Sequence, residues 1–357
     1  MPRKWMASLL ALVIAVTAIS GCGGAKPPQT APPSQTPGGT SIAPGGGGYK
    51  VAMSSDIGGL NDDSFNAAAW RGLQRAQTEL GMQVKAVEAH RNEDYEVNFR
   101  TLMDAGYNLV WGIGFLMHDT VDKMAAQNAN QKFGIIDSEV TGRPNVASVL
   151  FREEEGSFLM GVIAAKTTKT KTVGFVGGMD FDVIHHFDAG FKAGIKAIDP
   201  SIKVLTVYAG AFDDPAKGKS TALSMYGQGA DLVFHAAGAT GQGVIEAAKE
   251  QNKLAIGVDS DQNKLAPQNV ISSMVKRVDN AVFDISKAAQ GGTFPGGKTT
   301  TLGLKEDGVG YAPSTLWNKM PAGTQALVDK WAAAIKAGTV KVPNDPKAVP
   351  AWTVPSI

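Results

Sequence analysis

The sequence predicts an α/β protein with two doubly wound lobes joined by a hinge. Short apolar runs alternate with amphipathic stretches along the chain from residue 49 onward. The apolar runs lack the in–out alternation of a half-buried strand, which is typical of parallel sheets covered by helices on both faces. The alternation restarts near residue 172, so two blocks of similar length follow each other. Each block is long enough for a lobe with its own core.

Composition agrees with a two-lobe globular protein. The chain has 357 residues, of which 43% are hydrophobic and 19% charged, as in ordinary folded proteins. Without Arg3 and Lys4 of the leader, 32 of the 34 basic residues remain beside 33 acidic residues. This near-neutral balance argues against a nucleic-acid binder, which concentrates positive charge. One cysteine excludes an internal disulfide and a cysteine-cluster zinc site.

Residues 1–21 are predicted to be a lipoprotein signal peptide. Arg3 and Lys4 precede an apolar stretch, residues 7–18, that is too short to cross a bilayer. The following Ile19-Ser20-Gly21-Cys22 resembles a lipobox, in which the cysteine is lipidated and becomes the mature N-terminus. Several acyl chains on Cys22, palmitate among them, would anchor the protein to the outer face of the cell membrane. An ordinary secretory signal with an incidental cysteine is the alternative.

Residues 22–48 are predicted to form the lipidated cysteine and a disordered tether. Glycine and proline fill more than half of residues 23–48. Such a segment offers too few apolar side chains to offset the entropy of ordering it. Folded structure is therefore expected from Tyr49 onward.

The first block alternates strands and helices in a regular order. Helix Ser64–Leu80 ends at Gly81, a residue suited to the left-handed C-cap. The predicted strands are Tyr49–Ser55, Gln83–Ala89, Tyr107–Gly114, Lys132–Asp137 and Asn145–Phe151, and the other helices are Tyr95–Ala105, Asp119–Asn128 and Glu153–Lys169.

The second block repeats the pattern and continues into a tail. Its strands are predicted at Thr172–Gly177, Ile202–Ala209, Asp231–Ala237, Leu254–Val258, Val270–Lys276 and Thr299–Leu304, and its helices at Val183–Ile198, Ala216–Tyr226, Gln242–Asn252, Asn280–Ala289 and Ala322–Ala337. We expect the chain to cross between lobes more than once. Residues 49–165 and 270–300 are assigned to lobe 1, and residues 166–269 and 301–357 to lobe 2.

Candidate site residues follow the predicted strands. Asp56, Asp137 and Asp259 come directly after apolar runs, and Phe212 and Gly238 follow two strands of the second block. Ligands of doubly wound sheets bind at the carboxyl ends of the strands. These residues from both blocks therefore point to one cleft between the lobes.

Several ordered motifs resemble the basic membrane protein family, whose members are similar to a purine nucleoside receptor. The opening signature is SSDIGGLNDDSFN at residues 54–66, and the later stretches are VGFVGGM at 173–179, YAGAFDDPAKGK at 208–219, GVDSDQ at 257–262 and SMVKR at 273–277. The resemblance runs from about residue 49 to residue 284 and thins toward the C-terminus.

The resemblance implies a type I periplasmic-binding-protein-like fold and a substrate-binding protein of an ABC importer. It implies a nucleoside ligand, an ABC permease as partner, a monomer, and neither an enzyme nor a cofactor or metal site. In that family pattern Phe65 and Phe212 would sandwich the base, while Asp56 and Asn66 would contact its edge. The remaining roles are those of the sugar site, where Asp137, Asp259 and Lys276 would hold the ribose and Gly238 would let the backbone approach it. Because a 2′-deoxy ligand would leave a carboxylate without a donor, a ribonucleoside is the expected ligand.

Other interpretations of these residues stay open. Phe65 could be core, the aspartates could cap helices, and Lys276 could be solvated. A nucleoside-sensing or regulatory surface lipoprotein would need the same cleft, whereas a calcium-dependent nucleoside hydrolase is disfavoured by the spacing from Asp56 to Asp62. Asp62 or Ser64 is instead expected to cap a helix. Among the histidines, His185 and His186 would point to different sides of one helix, and His118 and His235 could support the site from behind.

Overall fold

The described part of the chain is residues 48–357 of a computed structural model. The predicted signal peptide, the lipidation site Cys22 and the tether as far as residue 47 lie outside the described residues, so they stay predictions. Within residues 48–357, every helix is too short or too polar to cross a membrane.

The strands and helices alternate as predicted, and their ends differ from the predicted ones by two residues at most. The strands are β1 (Lys50–Ser54), β2 (Gln83–Val87), β3 (Leu109–Ile113), β4 (Lys132–Ile136), β5 (Val146–Phe151), β6 (Thr172–Gly177), β7 (Lys203–Tyr208), β8 (Leu232–Ala236), β9 (Leu254–Asp259), β10 (Val270–Lys276), β11 (Lys298–Leu302) and β12 (Val309–Pro313). The helices are α1 (Phe65–Leu80), α2 (Asp94–Asp104), α3 (His118–Gln127), α4 (Glu153–Thr167), α5 (Asp182–Ile198), α6 (Pro215–Gly227), α7 (Thr240–Glu250), α8 (Val278–Gln290) and α9 (Thr324–Lys336).

Two six-stranded sheets form the cores of two α/β lobes. The first sheet has the order β11-β5-β4-β3-β1-β2 and is parallel throughout. The second has the order β12-β10-β9-β8-β6-β7, with β12 antiparallel to β10 at its edge. Buried apolar strands with helices packed on both faces explain the continuous apolar runs of the sequence. The predicted fold class is therefore confirmed.

The edge strand β12 is absent from the prediction. Its sequence, Val-Gly-Tyr-Ala-Pro, combines a glycine and a proline with few β-formers. The strand forms because Met274 and Lys276 of β10 offer it an antiparallel partner, at Tyr311 and Val309 respectively. Because this pairing joins segments that are distant in the chain, the local sequence of β12 does not reveal it.

The structure corrects the predicted division into lobes. Strand β10 was assigned to lobe 1 with residues 270–300, but it pairs with β9 in the second sheet. Helix α4 was also assigned to lobe 1, yet it packs against α5, β10 and β12 of lobe 2. Every residue from 156 to 164 of α4 is buried, because the helix lies between α5 and that sheet. A helix buried on all sides carries no periodic signal of the lobe to which it belongs.

The chain passes between the lobes three times in the described residues. The passages follow β5, β10 and β11, near residues 152, 277 and 303–308. Helix α8 lies between the last two passages and packs on α1 of the first lobe. Three short, adjacent connections form a hinge, which permits the two lobes to open and close as rigid bodies.

Candidate functional site

All eight predicted site residues line one cavity between the lobes. The cavity measures about 500 Å³ when its mouth to solvent is counted, a size usual for small-molecule sites. The predicted residues are Asp56, Phe65, Asn66, Asp137, Phe212, Gly238, Asp259 and Lys276. Further parts of the wall come from Gly58, Asp62, Gly114, Phe115, Val183, Ile184, Phe187, Ala236, Ala237 and Val258.

The loop after β1 is shaped by Asp62. Its buried carboxylate accepts hydrogen bonds from the backbone N–H groups of Ser64 (2.9 Å), Asn66 (2.8 Å) and Ala67 (3.0 Å). It therefore satisfies the free donors at the start of α1, as a capping residue does. The expectation that Asp62 or Ser64 caps a helix holds for Asp62, whereas the Ser64 side chain is used elsewhere.

Asp56 is a buried carboxylate, and among residues 48–357 no cation forms an ion pair with it. Its Oδ1 accepts hydrogen bonds from Asn66 Nδ2 (2.6 Å) and from the backbone N–H of Gly58 (2.8 Å). The Asp56 N–H in turn donates to Asn66 Oδ1 at 3.1 Å. Burial raises the pKa of Asp56 to about 7, although the bonds from Asn66 and Gly58 oppose the shift. The Asn66 amide is thus held in place by Asp56 and Asp62, to which its Nδ2 donates at 2.6 and 3.2 Å.

Lys276 joins the two lobes through ion pairs. Its Nζ lies 2.6 Å from Asp137 Oδ2, at the end of β4, and 2.8 Å from Glu153 Oε1, at the start of α4. Burial alone would lower the pKa of Lys276, but Asp137, Glu153 and Asp259 outweigh it and raise the pKa. The amine is 2% exposed, so a solvated strand-end lysine, the alternative interpretation, is wrong.

Asp137 carries an unsatisfied acceptor at the cavity. Its Oδ1 is buried and has no hydrogen-bond partner, the sole side-chain atom of this kind among the described residues that line the cavity. Burial raises the pKa of Asp137 to about 6, against the opposing effect of Lys276. The residue has a left-handed backbone, with φ of 63°, which is uncommon outside glycine. An orphaned buried acceptor at a binding cavity needs a donor from outside the protein.

Asp259 makes the second contact between the lobes. Its Oδ2 accepts a short hydrogen bond from Ser64 Oγ of the first lobe. Burial raises the pKa of Asp259 to about 7, and Lys276 opposes the shift. Asp259 is the last residue of β9 and, like Asp137, has a positive φ, here 62°. At the rim, Lys264 contacts Asp63 across the same gap at 2.6 Å.

Aromatic rings from both lobes form the apolar walls. Phe65 is partly buried at the start of α1, and Phe212 is buried in the loop after β7. A side chain at Gly178 would collide with the Phe212 ring, so the backbone there supports the ring directly. Phe115 of lobe 1 meets Phe212 edge-on at 6.2 Å between centroids and Phe181 at 5.0 Å. Neither Phe65 nor Phe212 is sealed away from the cavity.

The histidines stand apart from the cavity. His118 bonds Ser138 at 2.8 Å, and His235 is buried against Gln262 at 3.0 Å. Burial lowers the pKa of His235 to about 4, so it is a neutral side chain packed inside the second lobe. His185 pairs with Asp180, whereas His186 contacts Glu153 at 3.3 Å.

Sequence reasoning missed three residues that shape the site. Phe115 follows β3 and is signalled by the same strand-end rule that found Asp56. Glu153 follows β5 and carries the same signal. Ser64 was interpreted only as a helix cap, and nothing local in the sequence indicates its bond to a residue almost two hundred positions away.

The chain matches a known family over most of its length. Residues 49–343 match the Bmp family, described as ABC transporter substrate-binding protein PnrA-like. Over 281 residues the chain is 40% identical to the ABC transporter nucleoside-binding protein BmpA of Lactococcus lactis, an alignment that covers 73% of this chain and 80% of that protein. It is 38% identical over 319 residues to the CD4+ T-cell-stimulating antigen of Listeria monocytogenes, an alignment that covers 84% of this chain and 89% of that protein.

Solved structures agree with the fold. An ABC transporter solute-binding protein from Aeropyrum pernix superposes with a TM-score of 0.77 at 29% identity, covering 85% of this chain and 96% of that one. A solute-binding protein from Conexibacter woesei superposes with a TM-score of 0.68 at 25% identity, covering 83% of this chain and 99% of that one. The lobes have the type I periplasmic-binding-protein-like architecture that the motifs implied. On the family match and these identities, the chain belongs to the Bmp family of PnrA-like ABC transporter substrate-binding proteins.

Proposed function

We propose that this protein is a membrane-anchored receptor that binds nucleosides, purine ribonucleosides in particular, and delivers them to an ABC permease. The observation that carries the proposal is the buried, unpaired Oδ1 of Asp137 in a cavity that also holds Asp259 and Lys276. A ribose offers two neighbouring hydroxyl donors, which two carboxylates can accept. Hydrogen bonds to charged groups each contribute about 1.5–3 kcal/mol.

The aromatic walls suit a flat heterocycle. Phe65 comes from lobe 1 and Phe212 from lobe 2, so a base held between them contacts both halves of the protein. Aromatic contacts add about 0.5–1.5 kcal/mol to the gain from buried area. Asp56 and Asn66, already paired with each other at 2.6 Å, would bind the polar edge of the base.

The charge of the site favours an uncharged ligand. Asp56, Asp137 and Asp259 line the cavity with one cation, Lys276, and that cation is already paired with two carboxylates. A phosphate group would meet buried carboxylates at short range, where repulsion is weakly screened. Nucleosides rather than nucleotides are therefore the ligand class.

Binding would act by stabilising the closed arrangement of the lobes. Ser64–Asp259, Asp137–Lys276 and Asp63–Lys264 bridge the lobes around the cavity. A ligand that contacts both lobes adds to these bridges only when the lobes are closed, which shifts the population toward that state. The permease would then recognise the closed form. The name of the Lactococcus relative, a nucleoside-binding protein of an ABC transporter, supports both the ligand class and the transport role.

The ligand class is tested by calorimetry. Guanosine is expected to bind, and 2′-deoxyguanosine to bind about tenfold or more weakly, because it lacks one donor to a buried carboxylate. Guanosine 5′-monophosphate is expected to bind more weakly still, and uridine serves to compare base size. Equal affinity for guanosine and its deoxy form would reject the diol contact, and tight binding of the monophosphate would reject the charge argument.

Replacing the Phe212 ring tests whether the base of the nucleoside stacks against it. Phe212→Leu keeps an apolar side chain but removes the flat face, so guanosine affinity should fall about three- to tenfold. The matched control is Phe283→Leu, since Phe283 is a buried ring on α8 that packs under Arg75, away from the cavity. The control should lose stability in denaturant unfolding without losing affinity. Unchanged binding by Phe212→Leu would contradict a stacked base.

Because the Asp56 carboxylate is buried without a cation partner in the described residues, we expect the stability of the protein to depend on pH. The folded protein holds the Asp56 proton up to about pH 7, whereas the unfolded chain releases it near pH 4. The folded state binds more protons in this window, so this group's contribution to stability declines as pH rises through it. Asp56→Asn should therefore raise the free energy of unfolding at about pH 8 and change it much less at about pH 5, while guanosine binding weakens. A variant less stable than the wild type at pH 8 would contradict this account.

Anchoring and delivery are tested in cells. Cys22→Ser should move the protein from the membrane fraction to the soluble fraction and lower the uptake of labelled guanosine, because acyl chains on Cys22 hold the receptor near its permease. The matched control is Thr17→Ser, which also introduces a serine into the leader but leaves Cys22 intact. Retention of the variant in the membrane would reject the anchor, and loss of anchoring with normal uptake would favour a sensing role.

A further inference from the structure

A second cavity lies next to the first, where the chain leaves β5 for α4. It measures about 510 Å³ with its mouth to solvent, and Glu153, Glu154 and His186 are among the residues that line it. Asp137 and Val183 belong to the walls of both cavities. The second cavity thus adjoins the proposed ligand site, and the nucleoside proposal uses none of the side chains of Glu153, Glu154 and His186.

Three metal-binding side chains converge in this second cavity. Glu153, Glu154 and His186 each offer one ligand atom, and these atoms all lie within 4.8 Å of one another. They are the one such group found among residues 48–357. Zinc binds imidazole nitrogen and carboxylate oxygen at about 2.0–2.2 Å, so small rotations of these side chains would bring the three atoms onto one ion.

Glu154 is a second, independent observation that points to a cation ligand at the cluster. It is 7% exposed, and in the described part of the chain its carboxylate forms no ion pair and accepts no hydrogen bond from another residue. Its neighbours differ, since Glu155 accepts from the N–H of Leu304 at 2.7 Å and Glu153 is paired with Lys276. A buried carboxylate without a partner is costly, and a bound cation would relieve that cost.

The packing of α4 against α5 fixes the three side chains. A side chain at Gly190 would collide with the backbone of Glu154, so the two helices approach with only glycine between them. His186 lies one turn before Gly190 on α5, and both glutamates lie in the first turn of α4. The donors therefore stand on two rigid elements, as a preorganised site requires.

From this geometry we infer that Glu153, Glu154 and His186 form a zinc-binding site beside the hinge, with a fourth position open to water. One imidazole and two carboxylates match the borderline ligand preference of Zn²⁺, and the imidazole nitrogen favours Zn²⁺ over Ca²⁺ and Mg²⁺, which take oxygen ligands. Glu153 can serve both partners, because its Oε1 contacts Lys276 at 2.8 Å while Oε2 faces His186 at 3.3 Å. The inference does not depend on the identity of the cavity ligand.

The site is tested by titrating the untagged full chain with Zn²⁺ in a calorimeter. One equivalent is expected to bind and to raise the melting temperature, since an ion that binds only the folded state stabilises it. Co²⁺ should give the visible absorption of a nitrogen–oxygen site. His186→Ala and Glu154→Gln should each weaken Zn²⁺ binding by about tenfold or more. Glu154→Gln removes an unpaired buried charge, so this variant is expected to fold even if His186→Ala does not.

The matched control is the neighbouring histidine. His185 pairs with exposed Asp180 and Asp182, and His185→Ala should leave Zn²⁺ affinity unchanged. The inference is overturned if the wild type shows no saturable Zn²⁺ binding. It is also overturned if Glu154→Gln binds Zn²⁺ as the wild type does, or if only His185→Ala loses the ion, which would place it at the exposed acidic group.

Discussion

The ion pair between Lys276 and Asp137 is the interaction on which the arrangement of the two lobes depends. Lys276 ends β10 of the second lobe, and Asp137 directly follows β4 of the first. Removing Lys276 would leave the Asp137 carboxylate buried without its cation, a change that costs about 3–5 kcal/mol at such sites. Because the amine also holds Glu153 at the first passage between the lobes, it ties the cavity to the hinge. The three carboxylates around Lys276 keep it charged.

Two acids of the site combine an unfavourable backbone conformation with burial. Asp137 and Asp259 both adopt left-handed backbone conformations, and both are buried acids. Each such conformation costs on the order of 1 kcal/mol or more and persists only where the surrounding structure enforces it. Here the enforcing elements are parallel strands whose hydrogen bonds continue to the last residue, as with β4, where Asp137 N–H donates to Val149 at 2.8 Å. The strands thus hold carboxylates in a geometry that the isolated chain would not choose.

Most of this architecture could be predicted from local pattern, and the failures share one cause. The strand-end rule brought Asp56, Asp137 and Asp259 to one cavity because parallel strands end at the same edge. The assignment of β10 and α4 to lobes failed, since the neighbour of a strand in its sheet is chosen by contacts distant in the chain. The bond from Ser64 to Asp259 was missed for the same reason. The roles of the eight site residues in binding stay predictions.

The C-terminal segment, residues 344–357, packs on α4 and α5 of the second lobe. The family match ends at residue 343, yet Lys196 of α5 donates to the carbonyl oxygens of Val349, Pro350 and Trp352 at 3.0, 2.8 and 2.7 Å. The Trp352 ring also covers buried Phe158 of α4, edge-on at 6.1 Å. Trimming the chain at residue 343 would remove three acceptors from Lys196 and expose the Phe158 ring of the second lobe. Residues beyond the family match therefore help to complete the second lobe of this chain.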